Sequence, residues 1–241
     1  MHYKQTIYNN YLENHTKWLY GQESLSRIKN QFPVWNYHFG KLLPQDKNAT
    51  ILDIGCGTGS FVWYLNQSGY TNAVGIDISE EQIAHGRSMG IEHIQRADLQ
   101  VFLSERKNQF DCIIARDVME HFAKQEIFDT LSLIKSALRT GGAFIMQSPN
   151  GEGIFHSSIL YGDFTHEIAF TEKSLNQIFR NTGFIHIECH PTGPVPKGII
   201  SAIRWLLWQL IVFKTRFFKM VETGSGKGIF TQNIIAKAVK V

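Results

Sequence analysis

Apolar runs of strand length recur along the chain at 51–55, 72–77, 91–97, 110–115 and 143–148, and between them apolar positions fall at helical spacing over 59–68, 79–89 and 123–139. Regular alternation of strand and helix predicts an α/β fold, a doubly wound and mostly parallel sheet, because parallel neighbours need a crossover helix between them. A helix pattern at 171–182 precedes two more runs, 184–189 and 229–238. Upstream, residues 1–45 carry many aromatics, among them Tyr8, Tyr11, Trp18, Tyr20, Phe32, Trp35, Tyr37 and Phe39, without strand alternation. They predict short helices.

The stretch between the last two runs breaks the rhythm. Over 198–220, Ile199, Ile200, Ile203, Leu206, Leu207, Leu210, Phe213, Phe217 and Phe218 share one helical face that only Lys214 interrupts. Arg204, Trp205, Trp208, Gln209, Arg216 and Lys219 lie opposite. The uncharged part, Trp205 to Phe213, is far shorter than the roughly 20 residues of a membrane span. A wide apolar face flanked by Trp and basic residues resembles a helix lying in the plane of a membrane surface. Packing onto the sheet or onto the partner of a homodimer is the alternative. Pro191, Pro194 and Pro196 before it and Gly224, Gly226 and Gly228 after it mark 191–228 as an excursion.

Composition narrows the class. With 241 residues and 43% hydrophobic content, one α/β domain with an elaboration is expected. A net charge of +3, with no run of basic residues interleaved with aromatics over residues 1–190, predicts no nucleic-acid partner. Cys56, Cys112 and Cys189 are far apart, with no Cys-x-x-Cys and no Cys/His cluster. Free thiols in a reducing compartment and no metal centre are therefore expected. The opening Met1-His2-Tyr3-Lys4-Gln5 is polar and does not read as a signal or transit peptide, so the expected location is cytoplasmic, peripheral at the inner membrane face if the helix at 198–220 meets a bilayer.

The chemistry starts at Ile51-Leu52-Asp53-Ile54-Gly55-Cys56-Gly57-Thr58-Gly59, an apolar run broken by a glycine turn that leads into a helix start. Glycines there allow a ligand close to the backbone. The run Ala73-Val74-Gly75-Ile76-Asp77 ends in an acid placed to hold two ribose hydroxyls. In a dinucleotide site of the G-x-G-x-x-G type, a pyrophosphate sits against the helix start. Here position 60 is serine, and Asp53 stands two residues before the first glycine. A buried carboxylate repels a pyrophosphate and receives a cation. That weighs against an NAD-dependent oxidoreductase.

Asp53-Ile54-Gly55-Cys56-Gly57-Thr58-Gly59 resembles the first motif of class I S-adenosylmethionine-dependent methyltransferases. The resemblance continues at Gly75-Ile76-Asp77-Ile78-Ser79, Arg96-Ala97-Asp98-Leu99, Phe110 through Phe122, and Gly141-Gly142-Ala143-Phe144-Ile145, covering about residues 45–190. It implies S-adenosyl-L-methionine as cofactor and a seven-stranded sheet ending in an antiparallel hairpin, with 184–189 and 229–238 as its strands. It implies that Asp53, Gly55, Cys56, Gly57 and Gly59 surround the methionine part. Asp77 then takes the ribose hydroxyls, Ile78 lies against the adenine, and Asp98 and Leu99 flank it. Ala115, Arg116 and Asp117 close the site beneath the sulfonium. Asp98 as a plain helix cap is the competing reading, and Cys56 reads as a filler of the turn.

Methyl transfer to a hydroxyl needs placement of the acceptor and removal of its proton. Histidine suits the second task, and the candidates are His166, in Gly162-Asp163-Phe164-Thr165-His166-Glu167, and His121, in Met119-Glu120-His121-Phe122. The tract Ser148-Pro149-Asn150-Gly151 through Phe170-Thr171 resembles the acceptor loop of methyltransferases of surface-glycan pathways, which implies a sugar hydroxyl of a glycan or lipid-linked saccharide as acceptor. Met119-Glu120-His121-Phe122 also resembles quinone methyltransferases, leaving a quinone or other small metabolite as the alternative. A non-catalytic binding subunit is the third reading, opposed by the joint presence of Asp53, Asp77 and Asp98. The expected organisation is a helical cap at 1–45, with Trp18, Tyr20 and Gly21 as a lid, a core at 46–190 plus 229–241, and a helical insertion at 191–228.

Overall fold

The computed structural model describes residues 3–8 and 23–241. The aromatics Tyr11, Trp18 and Tyr20, and with them the expected lid, lie outside the described residues. Helix α1 (Tyr3–Tyr8) precedes that segment, and α2 (Leu25–Lys29) and α3 (Phe32–Phe39) follow it. Strands β1 (Ile51–Ile54), β2 (Ala73–Asp77), β3 (Ile94–Arg96), β4 (Phe110–Arg116) and β5 (Leu138–Pro149) then alternate with α4 (Ser60–Gln67), α5 (Glu80–Ser88), α6 (Leu99–Ser104) and α7 (Lys124–Ala137). After α8 (His156–Leu160) and α9 (Glu172–Asn181), β6 (Phe184–Pro191) and β7 (Asn233–Lys240) flank the long helix α10 (Ile199–Thr223).

The seven strands form one sheet in the order β3-β2-β1-β4-β5-β7-β6. The neighbours from β3 to β5 run parallel, and β7 runs antiparallel between β5 and β6. This is the expected Rossmann-like sheet with an antiparallel strand drawn from the final hairpin. Alternate side chains go to opposite faces, as strand geometry demands. Leu52, Ile54, Ile113, Phe144 and Met146 meet α7 and α9 residues such as Leu131, Ile134, Leu175 and Phe179. Ile51, Cys112, Ile114, Ile145 and Ile235 meet Phe39 of α3 and Phe61, Tyr64 and Leu65 of α4.

The strand order reverses between β1 and β4, which leaves a crevice outside the carboxyl ends of these strands, where doubly wound sheets bind ligands. The expected boundaries shift in two places. β3 is confined to 94–96, where its pairing with β2 begins at Ile94. β5 begins at Leu138, opposite Phe110, and its ladder with β4 resumes after an irregularity that absorbs the Gly141-Gly142 turn.

Helix α10 overturns one expectation, that of packing its apolar face on the core. The partly buried positions are Ser201, Trp208, Val212, Thr215 and Lys219, a stripe on the mixed side. Trp208 lies beside Gly193, and the Lys219 ammonium pairs with Glu152 Oε1 at 3.0 Å. The apolar side faces outward: Ile199 is 83% exposed, Leu206 57% and Phe213 72%. No helix among the described residues is long and apolar enough to cross a membrane.

Candidate functional site

A cavity of about 960 Å³ opens at the carboxyl ends of β1, β2 and β4. The loop residues Gly55, Cys56, Gly57 and Thr58 form one wall. Gly55, Gly57 and Gly59 all have positive φ, 66°, 57° and 81°, a backbone region that costs a residue with a Cβ. At Gly55 the need is double, since a Cβ would strike the Val118 side chain across the cavity wall.

Asp77 ties this wall together. Its carboxylate accepts from the Gly57 N–H and from the Ser79 N–H, each at 2.8 Å. Burial raises its pKa, and these amide bonds oppose the rise. The carboxylate thus fixes the glycine loop to the start of α5 while lining the cavity.

Asp53 is 2% exposed, and its Oδ1 has no hydrogen-bond partner. Burial pushes its pKa up to about 7; Arg116 opposes this and Asp77 adds to it. A nearby positive charge would favour the ionised form of a carboxyl so placed.

Arg116 lines the cavity next to Asp117. Its guanidinium lies 4.5 Å from the Phe61 ring centre and 5.0 Å from that of Trp35, a cation–π cage between the sheet and α3/α4. We therefore assign it to charge compensation of Asp53. A guanidinium directly beneath a sulfonium would repel it.

The cavity is lined by Asp53, Gly55, Cys56, Gly57, Asp77, Ile78, Asp98, Leu99, Arg116, Asp117, His121 and His166. Ala115 and Gly59 are not in its wall. Ala115 is fully buried with Leu52, Ile113 and Met146, because strand alternation turns it into the core. Gly59 caps α4, and a Cβ there would come within 2.6 Å of Ile94, so it serves close packing of loop on strand. Asp98 caps α6 through a 3.0 Å bond from the Val101 N–H and also lines the cavity, so both readings of it stand. The Cys56 thiol, buried, is held well above its ordinary pKa, which suits a turn filler and not a nucleophile.

The opposite end of the cavity is polar and had been only partly legible. After β4 the chain turns through Asp117, at φ 56°, where both carboxylate oxygens accept from the Gln147 amide. A 3₁₀ turn, Met119–His121, follows. Its Glu120 carbonyl accepts from the Glu167 N–H at 2.8 Å, which brings the 163–167 loop alongside.

That contact sets His121 and His166 edge to face, with ring centres 4.7 Å apart. His166 Nδ1 bonds the carbonyls of Ile159 and Leu160, at 3.0 and 3.2 Å. His121 Nδ1 meets Thr165 Oγ1 at 2.9 Å, whose hydroxyl donates to Asp163 Oδ1 at 2.6 Å. Burial, then the charge of His166, lowers the His121 pKa to about 4. Glu120 is fully buried, and burial raises its pKa, with Asp117 adding to the rise. Ser158, Gln232 and Asn233 complete this end.

From the flanks of the segment outside the described residues, Lys4 pairs with Glu167 at 2.9 Å, and Thr58 donates to Glu23, which lines the cavity. Sequence reasoning passed over Glu120 and Thr165. An acid in a turn is ordinarily solvated, and only the fold brings 120 next to 165.

A seven-stranded sheet of this order, with a glycine loop after β1 and an acid ending β2, defines the class I methyltransferase fold. Residues 29–188 match the family described as a methyltransferase domain, and the chain belongs to that family. The solved structures that it resembles in fold include S-adenosylmethionine-dependent methyltransferases. An S-adenosylmethionine-dependent methyltransferase from Archaeoglobus fulgidus shares the fold, with a TM-score of 0.59, 18% identity and full coverage of both chains, 100% each.

A Thermotoga maritima protein described as a possible histamine N-methyltransferase gives a TM-score of 0.64 at 15% identity, covering 98% of this chain and 99% of that one. Among curated proteins, the tRNA U34 carboxymethyltransferase of Vibrio cholerae (strain M66-2) is 25% identical over 194 residues, 71% of this chain and 56% of that protein. Its counterpart in Shewanella woodyi is 29% identical over 116 residues, 42% of this chain and 32% of that protein. The chain thus spans about a third to a half of the length of these relatives.

Proposed function

We propose that the chain O-methylates a sugar hydroxyl of a glycan or lipid-linked saccharide, presented at a membrane surface. The observation that carries this reading is the polar acceptor end of the cavity, where His121, Asp163, His166, Ser158, Gln232 and Asn233 converge. A sugar offers several hydroxyls that such a wall can bind, whereas an apolar quinone offers it few hydrogen-bonding groups. The outward apolar face of α10 supports the second half, since it suits an enzyme whose acceptor has a lipid anchor.

In this reading Asp53, Gly55 and Gly57 hold the methionine part, Asp77 the ribose, and Ile78, Asp98 and Leu99 the adenine. The 1–45 region caps the cavity, and 191–228 is the membrane-facing unit. His166 orients the acceptor hydroxyl and assists loss of its proton, with His121 beside it. The new C–O bond forms as the S–CH₃ bond breaks, and the sulfur departs neutral.

His166→Ala is expected to cut turnover of a lipid-linked saccharide by about 10²-fold or more. Affinity for S-adenosylhomocysteine, read by isothermal titration, should change less than twofold. Full turnover by the variant would remove His166 from the reaction.

A second reading, a nucleic-acid acceptor, takes its support from the curated relatives' description as tRNA U34 carboxymethyltransferases. Transfer of label from the cofactor to bulk tRNA, with none to saccharide acceptors, would decide for it.

A further inference from the structure

We propose that Glu120, His121 and His166 form a binding site for one divalent first-row transition cation, of the Mn²⁺ or Zn²⁺ kind, at the acceptor end of the cavity. One ligand atom from each residue lies within 4.8 Å of the other two. Ligands sharing an ion at about 2.0–2.2 Å stand about 3.3–3.6 Å apart in a tetrahedral site. A closure of about 1.5 Å or less therefore brings all three onto one ion.

Glu120 supplies the independent observation. It is fully buried and lines the cavity, its Oε2 accepts from Ser148 Oγ at 3.1 Å, and its Oε1 has no partner. An orphaned carboxylate oxygen inside a protein is costly, and a cation satisfies it.

The imidazoles are prepared in the manner of metal ligands, which donate their second ring N–H to a carbonyl or carboxylate partner. His166 Nδ1 meets two backbone carbonyls, which only accept, so the proton sits on Nδ1 and the lone pair on Nε2. Thr165 gives its hydroxyl proton to Asp163, so its oxygen receives the His121 Nδ1–H. Asp163, Thr165 and His121 thus form a relay from a carboxylate to a ring nitrogen. Two imidazoles and one carboxylate select a borderline cation over Mg²⁺ or Ca²⁺, which take oxygen ligands. All three residues line the cavity, so an acceptor oxygen entering it can reach the ion.

Binding of the ion is independent of the acceptor reading above, and only the ion's role rests on that reading. A hydroxyl bound to the cation loses its proton to water more readily. Its oxygen then displaces the neutral sulfide from the methyl carbon, with no change of oxidation state. His166 is in this case a ligand and not itself the base.

The test uses the full chain, stripped with EDTA and titrated calorimetrically with Mn²⁺, Zn²⁺ and Mg²⁺. The expected result is one tight Mn²⁺ or Zn²⁺ per chain and weak Mg²⁺ binding, with His166→Gln and Glu120→Gln each weakening the tight ion at least 10-fold. Both variants should bind S-adenosylhomocysteine as the wild type does, which also shows that they fold. Pulsed EPR of the Mn²⁺ form should show coupling to imidazole nitrogen, lost in part in His166→Gln. If Glu120→Gln does not fold, His166→Gln decides. Absence of a stoichiometric ion, or an ion bound equally by wild type and His166→Gln, would overturn the site. Loss of S-adenosylhomocysteine binding by the wild type would instead count against the cofactor reading, and a folded, ion-free enzyme with active His166 would restore that residue as direct base.

Discussion

At the scale of single residues the site rests on two acids with different tasks. Asp77 spends its oxygens on the glycine loop, whereas Asp53 keeps one oxygen without a partner. With its folded pKa at about 7, above its ordinary 3.8, the Asp53 carboxyl holds a proton that the unfolded chain has lost between those values. Stability of the cofactor-free protein is therefore expected to fall as pH rises from about 4 to 7 on account of this group. The ceiling of that effect at pH 8 is about 4 kcal/mol, with the opposing charge of Arg116 already included. Asp53→Asn should raise the melting temperature of the free protein at pH 8 and leave it nearly unchanged at pH 4. It should also weaken S-adenosylmethionine, a cation, more than neutral S-adenosylhomocysteine. Equal weakening of both would show that Asp53 senses shape and not charge. Asp77→Ala should instead weaken both ligands together, by about 10-fold or more, because the loop and the ribose contact fail at once.

At the scale of elements, β1, β2 and β4 were legible because each is buried between two layers and reads as an unbroken apolar run. Helix α6, six residues long, carries too little periodicity to show, and the extra turn of β5 hides behind Arg139-Thr140-Gly141-Gly142. Ala115 was misplaced for a geometric reason: positions near a strand end point alternately to opposite faces, and a motif does not say which one meets the ligand. The pairing of 120–121 with 163–166 was illegible, since it depends on the Glu167 N–H reaching the Glu120 carbonyl across 47 positions. In α10 the sequence showed two faces and the structure showed which one is spare. Replacing Leu206, Leu207 and Leu210 with Glu should abolish flotation with anionic liposomes while changing stability by about 0.5 kcal/mol or less, because all three side chains are exposed. Trp208→Ala should do the reverse and loosen the helix from the 193 loop. Flotation that survives the triple substitution would remove α10 from membrane contact.

At the scale of the whole molecule, the question is whether cofactor, acceptor loop and α10 belong to one cooperative unit. The cavity draws residues from β1, β2, β4, the 163–167 loop and the start of β7 (Asn233), so a ligand there bridges most of the sheet. β7 pairs with both β5 and β6, and the chain entering it has just left α10. A single core that spans the sheet predicts one thermal transition. S-adenosylhomocysteine at 100 times its Kd adds about 2.7 kcal/mol, which for a chain of this size raises the melting temperature by about 5–11 °C. The whole transition should move, as read by calorimetry and by far-ultraviolet dichroism. The α10 triple variant should show the same shift, since its substitutions lie on the outward face, while Asp77→Ala should lose most of it at the same ligand concentration. A second transition insensitive to ligand would mean that α10 melts apart from the sheet. Helix α10 would then be coupled to the cavity only through the flanking loops, and a ligand bound at its outward face could not tighten the cofactor.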